Sequence, residues 1–235
     1  MNRPEICLAL DVDDPKQALD LVKNLGGTVD LFKIGLQLYC EQGNSFVSSI
    51  KTLVATVFLD LKFFDIPNTV ANACKSVTRL GVDIINVHAL GGSEMLQASI
   101  DAVNNEADRL GIKAPKLLGV TILTSINTQI LKQEMGISGA AEENAVRLAE
   151  LCKKVGLDGV VASPIETPKI RKACGDNFII ATPGIRPAQS DKNDQKRIAT
   201  PREAATNGAN ILVIGRPIYG AANPKDAAEA IIKEL

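Results

Sequence analysis

The sequence predicts an α/β protein folded as a (β/α)8 barrel of the TIM type. Three observations carry this expectation. Short apolar runs rich in Val, Ile and Leu alternate with longer amphipathic stretches along the chain, the pattern of parallel strands joined by crossover helices. Eight such units fit into 235 residues, a length that barrels commonly reach as one domain. Aromatic residues make up only 3% of the chain and Trp is absent, so the core must be built from Val, Ile, Leu and Ala, which suits strands buried on both faces. An open doubly wound sheet is the alternative, because periodicity does not decide closure.

The strands are expected at Ile6–Leu10, Leu31–Ile34, Val57–Leu61, Ile84–Val87, Leu117–Leu123, Gly159–Ala162, Phe178–Ala181 and Ile211–Ile214. Helical patterns between them include Pro15–Leu25, with an apolar stripe of Leu19, Leu21, Val22 and Leu25, and also Ser93–Asn104, Glu142–Val155 and Pro201–Thr206; the period is that of an amphipathic helix. Gly26, Gly81, Gly111, Gly156 and Gly208 each precede a strand as helix stops. No linker or low-complexity segment divides residues 1–235, so one domain is expected. The longest polar stretch is Pro183–Thr200. It follows the seventh strand, where barrels often carry a phosphate loop or lid.

Composition excludes several classes of function. The net charge of −1 offers no field for nucleic acid or an anionic membrane, so an anionic ligand must be held by local groups. No apolar run approaches the roughly 18 residues that span a bilayer. The N-terminus enters an apolar strand at Ile6 without a signal-peptide layout, which suggests a cytosolic protein. Five scattered cysteines, Cys7, Cys40, Cys74, Cys152 and Cys174, contain no C-x-x-C and accompany a single His. They read as buried, reduced thiols rather than as metal ligands, and no metal is expected.

Barrel chemistry sits where strands end and βα loops begin. The residues there are Asp11 and Asp13, Lys33, the trio Asp60, Lys62 and Asp65, His88, Thr124 and Ser125, Arg186, and Gly215 with Arg216. Plain structural roles suit some of them. Asp13 and Asp14 precede Pro15 and read as helix caps. His88 suits a local hydrogen bond as well as a ligand. Thr124 and Ser125 fit an ordinary turn.

Asp60 and Lys62 resist such a reading. Two positions apart on an extended strand, they share a side, and Leu59, Leu61 and Phe63 claim the helix-facing one. Both charges then point into the mouth, where burial is costly without a partner. Lys33 adds a cation facing the same interior. The result is an array of Lys, Asp, Lys and Asp in which each carboxylate keeps an ammonium charged. A glycine and an arginine after the eighth strand, Gly215 and Arg216, suit a phosphate, because backbone N–H groups can approach the anion and the guanidinium forks onto it.

The run D-L-K-F-F-D-I-P-N-T, from Asp60 to Thr69, closely resembles the D-x-K-x-x-D-I-P-N-T signature of the orotidine 5'-phosphate decarboxylase family, in its bacterial form. Further matches follow in order: A-L-D (Ala9–Asp11), F-K-I-G (Phe32–Gly35), V-H-A-x-G-G (Val87–Gly92) and L-T-S (Leu123–Ser125). They continue with T-P-G-I-R-P (Thr182–Pro187), D-Q (Asp194–Gln195) and I-G-R-P (Ile214–Pro217). Phe64 departs from the pattern, since many bacterial relatives carry His there; the position is not a catalytic one.

The resemblance implies a cofactor-free decarboxylase that forms uridine 5'-phosphate as a homodimer with shared active sites. It implies Asp60 beside the substrate carboxylate, Lys62 as proton donor to C6, and Lys33 bridging acids and ribose. Asp11 would bind ribose hydroxyls and Thr124 would lie by the pyrimidine. Asp65, Ile66 and Thr69 would serve the neighbouring subunit's site. Arg186, Gln195, Gly215 and Arg216 would grip the phosphate. The nearest rival is a Mg2+-dependent sugar-phosphate lyase or decarboxylase of the same superfamily, which would place an acid where this chain has Lys33. A phosphosugar isomerase would leave the two lysines unexplained, and a non-catalytic nucleotide-binding protein would not need the charged array.

Overall fold

A computed structural model of the chain describes residues 3–53, 56–187 and 199–235. Eight strands run in parallel: β1 (Glu5–Ala9), β2 (Leu31–Gly35), β3 (Val57–Phe63), β4 (Ile84–His88), β5 (Lys116–Val120), β6 (Gly159–Val161), β7 (Ile179–Thr182) and β8 (Ile211–Ile214). Each pairs with its neighbour in sequence, and β1 also pairs with β8, from Glu5 opposite Ile211 to Leu8 opposite Ile214. That last ladder closes the barrel and excludes the open sheet.

The helices are α1 (Pro15–Leu25), α2 (Leu36–Leu53), α3 (Pro67–Thr78), α4 (Gly92–Leu110), α5 (Thr128–Gln133), α6 (Ala141–Val155), α7 (Thr167–Cys174), α8 (Pro201–Thr206), α9 (Arg216–Tyr219) and α10 (Pro224–Lys233). Helix α1 begins as its sequence suggests: the Asp14 side chain accepts the Lys16 N–H at 2.9 Å, and Pro15 occupies the first turn, where its missing N–H costs nothing. Its buried face is Ala18, Leu21, Val22 and Leu25. Ala18 takes the place expected of Leu19, which is only half-buried. Among the described residues, no helix is long and apolar enough to cross a membrane.

Three expectations are corrected. The fifth strand stops at Val120 rather than Leu123. Thr121 still donates its N–H and its hydroxyl to the Val161 carbonyl, both at 3.1 Å, after which the chain turns. Helix α4 runs on to Leu110, past the expected Asn104. Its last turns carry little apolar periodicity, but Glu106 there is buried among Arg79 of the segment after α3, Arg109 and Lys75. Hydrogen bonds from Arg109 and Arg79 hold the Glu106 carboxyl down to about 2, and this ion cluster ties the polar end of α4 to α3. The third change concerns the cysteines. Cys7, Cys74, Cys152 and Cys174 are buried and free as expected, but Cys40 is exposed. The apolar stripe of α2 is Leu38, Phe46, Val47 and Ile50, and Cys40 lies off it.

The core has two layers. Leu8, Phe32, Ile34, Leu59, Ile85 and Leu212 pack outward beneath the helices. Alternate residues, Cys7, Ala9, Leu31, Phe58, Ile84, Leu118, Ala181, Ile211 and Val213, fill the barrel interior. The period of two along each strand separates the layers. Continuing the inward parity toward the C-terminal ends of β2, β3 and β4 leads to Lys33, Asp60 and Asn86, so the interior changes there from apolar to charged.

Candidate active site

The charged groups form a row across the barrel mouth. Asp11 Oδ1 lies 3.0 Å from Lys33 Nζ, Lys33 Nζ lies 3.3 Å from Asp60 Oδ2, and Asp60 Oδ1 lies 2.7 Å from Lys62 Nζ. Acid and base alternate, so every neighbour in the row is attractive. Gly35 makes room for one end: a Cβ at that position would meet Asp11 Oδ1 and Lys33 Nζ, each at 3.1 Å. Lys33 and Asp60 are each only 7% exposed, a depth at which a lone charge is untenable. Burial lowers the Lys33 pKa, but Asp60 and Asp11 more than reverse this, and the net direction is up. Burial likewise raises the Asp60 carboxyl, and Lys33, Lys62 and hydrogen bonds from Lys62 and Asn86 turn the net direction down. Both groups are therefore held in their charged forms.

Lys62 reaches this row differently from the expected strand alternation. It has φ of 52°, the left-handed region, and is the single non-glycine residue with positive φ among the described residues. The β3–β4 register shifts around it, from Leu59 opposite Ile85 to Phe63 opposite Val87. A bulge of this kind re-aims a side chain beside a site. Asp65 also departs from the in-chain array. Strand β3 ends at Phe63 and Pro67 opens α3, so Asp65 lies in an exposed turn, where its Oδ1 accepts the Ile66 N–H at 2.6 Å. Asp11 takes the fourth place within one chain.

The row lies in a cavity of about 620 Å³, lined also by Thr124, Ser125, Arg186, Gly215 and Arg216. Arg186 is buried and donates from Nη1 to the Ile185 carbonyl at 2.9 Å, while its Nε has no hydrogen-bond partner among the described residues. Burial, then the charge of Arg216, push its pKa down. Two guanidinium groups thus face one end of the cavity, an arrangement that an anion would relieve. Arg186 N donates to the Ala199 carbonyl at 2.9 Å, so the two ends of the polar stretch meet beside the cavity. Gln195 and Asp194 lie outside the described residues.

The remaining candidates are placed as follows. Ile66 and Thr69 are exposed beside Asp65, outside the cavity lining. Asp13 accepts from Gln37 Nε2 at 2.6 Å, and Asp14 caps α1. His88 accepts the Leu90 N–H at its Nδ1 at 3.5 Å and packs its ring against Phe64, with centroids 5.4 Å apart. Burial and Lys62 push its pKa down. Two cavity neighbours escaped the sequence reading. Tyr219 lines the cavity near Arg216, with no sequence signal beyond its proximity to I-G-R-P. Asn86 is buried beneath Asp60 and Lys62; a carboxamide inside the apolar run I-I-N-V-H was a readable sign.

A closed parallel barrel whose C-terminal mouth carries buried, interlocked charges has the architecture of an α/β-barrel enzyme. The chain matches the family model described as Orotidine 5'-phosphate decarboxylase / HUMPS family over residues 4–231, and it belongs to that family. It is 52% identical over 231 residues to an orotidine 5'-phosphate decarboxylase of Syntrophomonas wolfei, covering 98% of this chain and 97% of the relative. It is 49% identical over 233 residues to one of Moorella thermoacetica, covering 99% and 92%. The crystal structure of orotidine 5'-phosphate decarboxylase from Lactobacillus acidophilus superposes with a TM-score of 0.87 at 39% identity, covering 99% of both chains.

Proposed function

We propose that this protein decarboxylates orotidine 5'-phosphate to uridine 5'-phosphate. The observation that carries the reading is the row Asp11–Lys33–Asp60–Lys62 inside the cavity, taken with full-length relatives of that name. The reaction breaks the bond between C6 and the carboxylate; CO2 leaves and the electron pair stays on C6. That pair lies in the plane of the ring, where the π-system delocalises it poorly. Stabilisation must then come from fixed charge already in place. Lys62 supplies that charge as an ammonium, passes its proton to C6 and regains one from solvent. Asp60 holds Lys62 and lies beside the substrate carboxylate, and Lys33 links Asp60 to the ribose side, where Asp11 takes hydroxyls. Thr124 borders the pyrimidine. Arg186, Gln195, Gly215 and Arg216 take the phosphate, whose binding energy orients a ring several bonds away.

In this reading the protein acts as one barrel domain in the cytosol, as a homodimer whose sites are shared. Support for sharing comes from the exposed turn after β3. Phe64 is 59% and Ile66 67% exposed, an apolar surface beside Asp65 and Thr69 of the kind that a second copy would cover. The Mg2+-dependent lyase reading loses support, because the strand-two position is Lys33 rather than an acid and the relatives carry the decarboxylase name.

An ultraviolet assay with orotidine 5'-phosphate tests the proposal. Activity is expected with or without a chelator, and inactivity on this substrate would refute it. A second prediction concerns the phosphate end. Arg216→Ala should weaken uridine 5'-phosphate by on the order of 10-fold to 100-fold, the range of one lost charge-assisted contact, and uridine hardly at all. Equal losses for both ligands in a calorimetric titration would remove the phosphate role.

A further inference from the structure

We propose that Asn86 is a positioning residue for this reaction, one carboxamide that sets both the backbone turn carrying Lys62 and the orientation of the Asp60 carboxylate. The inference rests on the function proposed above and names a residue which that reading leaves without a role.

Asn86 is 1% exposed on the inward parity of β4. Its Oδ1 accepts the Lys62 amide N–H at 2.8 Å, and its Nδ2 donates to Asp60 Oδ1 at 2.6 Å. The same Asp60 oxygen receives Lys62 Nζ at 2.7 Å. The result is a closed ring of interactions: Lys62 amide to Asn86, Asn86 to Asp60, and Asp60 back to the Lys62 ammonium. Asn86 thereby holds the backbone of the proton donor directly and its ammonium through Asp60.

The need for such a device comes from the bulge. Between the pairs Leu59–Ile85 and Phe63–Val87, β3 advances four residues while β4 advances two. The Lys62 N–H bonds to the Asn86 side chain where an unbroken ladder would supply a backbone carbonyl, and Lys62 sits at φ of 52°, a backbone conformation that residues other than glycine rarely hold without support. The chemistry of the link is directional. A carboxamide accepts on one side and donates on the other. A carboxylate in its place could still accept from Lys62, but it would set oxygen against oxygen at Asp60 unless it carried a proton.

That directionality gives a test that simple packing would not pass. The charged and titratable groups around the position are Asp60 and Lys62 from β3, Lys33 from β2, Cys7 of β1 and Asp11 just beyond it, and His88 on β4 itself. In Asn86→Asp, burial and the Asp60 charge raise the introduced carboxyl, whereas Lys33 and Lys62 oppose that rise. Its neutral form restores the donor to Asp60, so function should return as pH falls. Expressing each variant relative to wild type at the same pH cancels titration of the shared groups and of the substrate.

The experiment measures kcat and KM for orotidine 5'-phosphate between pH 5 and pH 8.5, with far-ultraviolet circular dichroism on each protein. Asn86→Ala should lower kcat on the order of 100-fold, the scale of a misplaced reacting group, with KM changed less than about threefold. Asn86→Asp should be similarly impaired at pH 8.5 and recover at least about tenfold, relative to wild type, by pH 5. Should Asn86→Ala fail to fold, the nearly isosteric Asn86→Asp decides the matter by its pH slope. A flat ratio across this range, a loss confined to KM, or near-normal kcat in Asn86→Ala would overturn the positioning role. An inactive wild type would instead overturn the proposed function, which separates the two failures.

Discussion

Replacing Lys62 with alanine is expected to lower kcat/KM for orotidine 5'-phosphate by about five orders of magnitude while leaving the barrel folded. The size combines a general-acid contribution of roughly 10² to 10⁴ with a fixed-charge contribution of roughly 10² to 10³. The fold should survive because the Lys62 side chain is 31% exposed at the mouth and its ammonium bonds to Asp60. Asp60 keeps Lys33 and Asn86 when Lys62 is removed. Stopped assays and circular dichroism check both halves, and activity within tenfold of wild type would end the proton-donor role. The shared-site proposal adds a complementation readout. Mixed Lys62→Ala and Asp65→Ala proteins should regain part of the lost activity, since one site of each hybrid dimer would be intact. No gain, with subunit exchange demonstrated, would count against sharing.

Asp60→Asn carries the second large effect. Lys62 loses the carboxylate that holds it, and Lys33 keeps only Asp11. Activity should fall at least about 10² to 10³-fold, comparable to deleting one preorganised electrostatic contact at a reacting centre. The same substitution has a pH signature in stability. The folded Asp60 carboxyl lies below its ordinary value of 3.8. Its contribution is therefore present above that value and is lost as pH falls through the folded pKa. Lys33 is shifted the opposite way, above its ordinary 10.5, so its contribution is present below that value and is lost as pH rises through the folded pKa. The pair stabilises across the neutral range, and the advantage of wild type over Asp60→Asn should shrink from pH 7 to pH 3 in urea unfolding. A difference unchanged between those two pH values would show that Asp60 gains nothing from its partners in the folded state.

The two variants probe different parts of one device. Lys62 is the outer end, on a bulged strand with its charge at the open side of the row. Asp60 is the fixed centre, which touches both lysines and Asn86. Loss of the end should remove chemistry and spare stability. Loss of the centre should affect both, because three buried or half-buried groups depend on it.

Much of this was legible in the amino-acid sequence, and for local reasons. Apolar runs with period two or no polar interruption marked eight strands, Asp14 before Pro15 marked a helix start, and D-L-K-F-F-D-I-P-N-T marked the chemistry. These signals depend on neighbours within a few residues, so they survive without a fold. Local reading did less well where distant contacts decide. The end of α4 is held by Glu106 among arginines on two elements, and β5 ends where Thr121 turns both donors onto Val161. Cys40 was expected inside and lies outside, because the helix chose another face.

By itself the sequence determined the strand and helix succession, the family resemblance and the placing of charge at strand ends. Only the tertiary structure decided that β1 and β8 join, that Asp11 completes the in-chain row while Asp65 stands apart, and that Lys62 enters the mouth through a left-handed bulge propped by Asn86. The physical reason is that closure, ion pairing and backbone strain are balances between groups far apart in the chain. Such balances exist only once the barrel brings those groups to within hydrogen-bonding distance.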